Sequence, residues 1–146
     1  PPSGLRFVLH STMKLDRDKI DRVGRRFNLD FVVLYGSQAT GKQKGPETDV
    51  DIAVYRRGGF EPDEYLNLFA EMAGAVEGGE LDMKSLSRRN ALFQYNVTKD
   101  GKLLYGDETE YNNFMAYIYR KFIDIQPLLK LQEDLVNKYQ QELKND

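Results

Sequence analysis

Five residues of the 146-residue chain have the types and spacing for chemistry on phosphate: Gly36, Ser37, Asp49, Asp51 and Asp82. Gly36 has no Cβ, so backbone amides near it can approach an anion closely, and Ser37 adds a hydroxyl donor. A helix beginning at or just after Ser37 would aim amides and the positive end of its dipole at the same spot. Asp49 and Asp51 alternate with apolar residues in DVDIAV, so they share one face of a strand, roughly 7 Å apart along it. Two such carboxylates repel each other in isolation and suit a hard cation, since magnesium combines one or two carboxylates with water and substrate phosphate. Asp82 faces away from its apolar neighbours Leu81 and Met83. If its strand lies beside that of Asp49 and Asp51, three carboxylates meet near the Gly-Ser loop, a grouping suited to two-metal displacement at phosphorus. An ordinary ion pair of Asp82 with Lys84 is the alternative at that position.

These residues need strands to carry them. FVVLY, residues 31–35, is a continuous apolar run ending at Gly36 and reads as a buried strand. In residues 50–55, Val50, Ile52 and Val54 take one face, with Asp49, Asp51 and Ala53 on the other. A third strand is predicted over 80–86, and a short edge strand over 102–105. Helices are predicted over 16–27, with Asp16 as N-cap, over 62–76, with Pro62 in the first turn and Gly78-Gly79 as the stop, and over 88–97. The last third, 109–143, has the longest helical pattern, with Asp107 and Glu110 placed as a capping box and Pro127 expected to bend or break it. The order α-β-α-β-α-β-α-β-α predicts an α/β fold, a mixed sheet flanked by helices.

Length favours one domain, expected over 13–146 with its helical segment at 109–143. PPSGLRFVLHST, residues 1–12, reads as a leader. Hydrophobic residues make up 40% and charged ones 30%, as in a globular chain rather than a disordered one. Lys and Arg number 21 against 23 Asp and Glu, a net charge of −2 that gives no overall footprint for nucleic acid. With no Cys and one His, thiolate zinc, disulfide and serine-histidine chemistry are set aside, and a cytoplasmic location is expected. No stretch approaches the roughly 20 apolar residues of a membrane helix.

Gly36-Ser37, an interval of eleven residues, Asp49-Val50-Asp51-Ile52 and a later strand carboxylate together resemble the nucleotidyltransferase superfamily typified by DNA polymerase β. The short chain and the tail around 117–129 are similar to the minimal nucleotidyltransferases, usually encoded beside a HEPN-domain partner. The resemblance spans about residues 16–129. It implies a polymerase β palm-like fold, ATP as substrate with two Mg2+ ions, and transfer of AMP or another NMP to a hydroxyl. By position, Gly36 and Ser37 match the triphosphate-binding pair, Asp49 and Asp51 the nucleotide and metal ligands, and Asp82 the third catalytic carboxylate. Thr48 stands where many members have Ser. The interval is one residue longer than in the minimal group, a difference that Lys42-Gln43-Lys44-Gly45 can absorb. The implied acceptor is a tyrosine of a HEPN-type RNase toxin, making this chain an antitoxin. The alternatives are a non-catalytic antitoxin acting by binding and a small-molecule nucleotidyltransferase acting as a homodimer.

Overall fold

The computed structural model describes residues 7–8, 14–40 and 49–145. A four-stranded sheet is built from β3 (Phe31–Tyr35), β4 (Val50–Tyr55), β6 (Leu81–Ser85) and β7 (Lys102–Tyr105), in the order β6-β4-β3-β7. β3 runs antiparallel to both β4 and β7, while β4 and β6 are parallel. The parallel pair requires a crossover, and α3 (Pro62–Ala73) supplies it.

Both faces of the sheet are covered, which is why β3 is apolar throughout instead of alternating. On one face Val32, Leu34, Val50, Ile52 and Val54 pack with Ile20 and Val23 of α1 (Arg17–Arg26) and with Leu68 and Met72 of α3. On the other, Phe31, Val33 and Ala53 pack with Leu86, with Val97 of α4 (Ala91–Lys99), and with Tyr111 of α5 (Glu108–Lys144). The carboxylates of interest lie on this second face, just beyond the edge of its apolar cluster. Helix starts follow their side chains: Asp16 accepts from the Lys19 amide at 3.0 Å, Asn90 from Phe93 at 2.8 Å and Asp107 from Glu110 at 2.9 Å. α1 lies close to β7 because residue 24 is glycine; a Cβ there would sit 2.7 Å from the Tyr105 ring.

Several boundaries differ from the sequence reading. α3 ends at Ala73, with Gly74 as its C-cap, rather than running to Val76. Val76 instead belongs to β5 (Val76–Glu77), which pairs with β2 (Lys14–Leu15), itself paired with β1 (Phe7–Val8), in a second small sheet. Strands of two residues carry no readable alternation, so none of these three was foreseen. α4 starts at Ala91, not Arg88, because Arg88 takes a left-handed φ of 59°. α5 runs unbroken through Pro127, so the one-helix alternative holds. From residue 131 onward every described residue of α5 is exposed, including Leu131, Leu135, Val136, Tyr139 and Leu143.

Tyr111 offers a measurement of this packing. Its side chain is 4% exposed, its ring meets Phe31 edge-on at 5.2 Å, and its hydroxyl has no partner among the described residues. Tyr111→Phe keeps the ring and removes a buried, unpaired hydroxyl, so urea unfolding should show stability unchanged or higher by up to about 1 kcal/mol. Tyr111→Ala should cost about 3–5 kcal/mol.

Candidate active site

β3 delivers the chain to Gly36, which takes a φ of 75°, a region open to glycine at little steric cost. The Gly36 carbonyl accepts from the amides of Ala39 and Thr40, each at 3.2 Å, and so closes α2 (Ser37–Thr40) directly onto the strand. β4 returns antiparallel with Asp51 opposite Tyr35. A Cβ on Gly36 would overlap the Asp51 carboxylate. Gly36 is thus required twice, by its backbone angle and by the closeness of Asp51.

β6 adds to the other side of β4, parallel and in register, with Asp51 paired to Asp82 and Ala53 to Lys84. In-register partners on parallel strands point to the same face, so the two carboxylates stand side by side. Lys84 Nζ lies 3.4 Å from Asp82 Oδ1, both side chains about two-fifths exposed at 40% and 42%. Such a pair is held loosely and neutralises Asp82 only in part. Burial pushes the Asp51 carboxyl up to about 6; the charge of Asp82, a hydrogen bond shared with it and the charge of Asp49 add to this, and Lys84 opposes it. The Tyr35 phenol is pushed far above its ordinary value, first by burial, then by Asp51, Asp82 and Tyr65, with Arg89 opposing. Tyr65, whose hydroxyl donates to the Met83 carbonyl at 2.9 Å, is also raised, chiefly by burial; Asp82 adds to this and Arg89 opposes it.

Of the residues singled out from sequence, Gly36, Asp51 and Asp82 are drawn into one cluster. Asp49 precedes β4, is exposed, and acts on Asp51 through its charge. Among the described residues, no three His, Cys, Asp or Glu side chains close into a ready cation cage. Ser37 begins α2, while Lys42, Lys44 and Thr48 lie outside the described residues. Sequence reasoning did not assign Tyr35 or Tyr65 to this neighbourhood. The pairing of Tyr35 with Asp51 follows once the β3–β4 hairpin is given its register, whereas Tyr65 and Arg89 arrive from elements whose positions depend on the crossover.

The donor set fits a divalent cation. Like charges crowded on half-buried oxygens raise a carboxyl's pKa, and an oxygen-seeking dication is what such a group favours. Oxygen ligands beside a glycine turn can hold a metal-bound polyphosphate, and transfer at phosphorus is the chemistry this arrangement can perform.

The family model described as "Polymerase beta, Nucleotidyltransferase" matches residues 18–110. Among curated proteins, none matches the sequence. Of solved structures, a chain of a toxin–antitoxin complex with AMP-PNP is similar at TM-score 0.71 and 23% identity, covering 84% of this chain and 98% of that one. A chain of the complex of tri-AMPylated Shewanella oneidensis HEPN toxin with MNT antitoxin gives 0.65 and 21%, covering 82% and 94%. A chain of an MntA–HepT toxin–antitoxin complex gives 0.65 and 20%, covering 82% and 95%. The family match spans β3, β4, β6 and the carboxylates they carry, and on it this chain belongs to the polymerase β family of nucleotidyltransferases.

Proposed function

We propose that this chain transfers AMP from ATP to a tyrosine hydroxyl of a HEPN-type toxin and thereby acts as its antitoxin, with residues 13–146 as a single catalytic domain. The observation that carries the reading is the in-register Asp51–Asp82 pair beside Gly36. The similar structures, one with AMP-PNP and one with an AMPylated HEPN toxin, support the choice of nucleotide and of acceptor class in this reading.

In this reading the turn at Gly36 and Ser37 receives the triphosphate through backbone amides. Asp49 and Asp51 hold Mg2+ with the nucleotide, and Asp82 completes the site toward the acceptor, two ions in all. The bound metal supplies neutralisation of charge at the transferring phosphate. The phenolic oxygen attacks the α-phosphorus and forms the new P–O bond. The bond to the β-phosphate oxygen breaks, pyrophosphate leaves with the electron pair, and the phenolic proton passes to Asp82 and on to solvent. Little else is asked of the protein than position and charge.

Incubating the chain and its partner with labelled ATP and Mg2+ should label the partner. Asp51→Asn should lower the rate by about a hundredfold or more, because a displaced ligand at a metal-assisted step costs several kcal/mol. An unlabelled partner that is still neutralised by the Asp51→Asn chain would favour binding alone. ATP should raise the melting temperature of the wild-type chain only when Mg2+ is present.

The metal-free protein has its own signature. Asp51 is raised to about 6 in the folded chain from an ordinary 3.8. The stability it contributes is therefore present below about pH 4 and lost as pH rises through about 6. At pH 8 without divalent ions, Asp51→Asn should melt higher than wild type. Mg2+ should narrow that gap by stabilising wild type alone, a comparison that differential scanning fluorimetry reads directly.

A further inference from the structure

The outer edge of β6 carries a second feature. The strand ends at Ser85, and beyond it lies a cleft of about 330 Å³ whose lining includes Phe60, Pro62, Tyr65, Ser85, Ser87 and Arg89. Its walls are fixed. The Arg56 guanidinium lies 4.4 Å over the Phe60 ring while donating to Glu64 at 2.9 Å, to the Phe27 carbonyl at 3.0 Å and to the Gly59 carbonyl at 2.8 Å. Ser87 Oγ donates to the Arg56 carbonyl at 2.7 Å, and Arg88 donates to the Gly58 carbonyl at 2.8 Å. The turns that follow β4 and β6 are thereby stitched together, and the cleft keeps its shape without help from a ligand. Arg89 is carried over the Phe93 ring at 5.2 Å.

We propose that this cleft receives the polypeptide segment bearing the acceptor tyrosine, with Arg89 holding a carboxylate or carbonyl of that segment; this rests on the transfer reading above. Three observations lead there. Ser85 lies three residues beyond Asp82 on the same strand, about 10 Å away and facing the opposite side of the sheet, so an extended segment along the edge of β6, whose own side chains alternate, can put one side chain in the cleft and another at the carboxylates. Tyr65 joins the two places, since it walls the cleft and its hydroxyl bonds to Met83, between Asp82 and Ser85. β6 is the last strand on its side of the four-stranded sheet, and among the described residues no further strand pairs with it. The lining also matches a peptide: an aromatic and proline wall faces hydroxyls and a guanidinium, a mixture suited to a side chain with an apolar body and an oxygen at its end. The charge of Arg89 is felt at both Tyr35 and Tyr65.

Two measurements test this with the full chain and its HEPN-type partner. In the first, p-benzoylphenylalanine replaces the exposed Pro62 or, as a control on the opposite sheet edge, Lys102, both in the Asp51→Asn background. Photocrosslinking to the partner from position 62 and not from 102 is expected. Crosslinks from 102 alone, or none from 62, overturn the proposal. In the second, label transfer from ATP is followed against partner concentration. Arg89→Ala should raise the KM for partner by about tenfold or more with kcat within about twofold, Arg89→Lys should recover part of the loss, and the shift in melting temperature caused by Mg2+ and ATP should stay at the wild-type value. Transfer by Arg89→Ala at the wild-type KM overturns the assignment. If wild type transfers no label but position 62 still crosslinks, the docking site stands and the transfer reading falls.

Discussion

The parallel, in-register pairing of β4 with β6 is the constraint on which the site depends. A shift of one residue would turn Asp82 to the face of Leu68 and Met72 and would expose Met83, because side chains alternate along a strand. The register is held from both ends of the crossover between the strands. At its start, Arg56 ties the turn after β4 to Glu64 in the first turn of α3. Further along, Tyr65 of α3 reaches across to the Met83 carbonyl of β6. At the far end, the Val50 amide donates to the Glu80 carbonyl at 2.8 Å. The apolar face thus fixes which way Asp51 and Asp82 point, and their mutual repulsion is a local cost carried by a much larger buried surface.

That cost falls where it serves. Asp51 is half-buried beside a glycine that leaves no room for a side chain, and that burial, with the charge of Asp82, pushes its carboxyl up to about 6. Moving Asp51 away would relieve the charge, but it would require Tyr35 and Gly36 to shift with it, because the hairpin fixes all three. In the transfer reading proposed above, a rigid scaffold that holds like charges together would spare an arriving cation the cost of gathering them.

The strands that carry the site were legible in the sequence because their patterns are long enough to read. β3 shows a five-residue apolar run, and β4 alternates over six residues. The pairing of Asp82 with Asp51 was conditional on strand adjacency, which no local pattern encodes. The place of Arg89 beside the cleft follows from the left-handed turn at Arg88, a conformation that sequence gives no reason to expect of arginine. The stop at Gly74 rather than at Gly78-Gly79 was missed because both are glycines and helical spacing continues through Val76. What settles it is strand pairing of Val76 with Leu15, a contact between residues far apart in the chain.

α5 shows the same limit on a larger scale. Its apolar spacing continues from Tyr111 to Leu143, but burial stops well before the end, with Tyr111 and Ile118 as its buried residues. Periodicity reports which face is apolar, not whether anything covers it. The stretch from Leu131 to Lys144 rises about 20 Å beyond the point where packing ends, and a helix of that length is marginal in water by itself. Its continuity with the packed half is what supports it, since a turn already formed spares the next one the cost of nucleation. Pro127 weakens that link by removing one backbone donor at the boundary between the two halves. The body of the protein therefore stabilises the catalytic half of the fold strongly and the terminal helix only through its root.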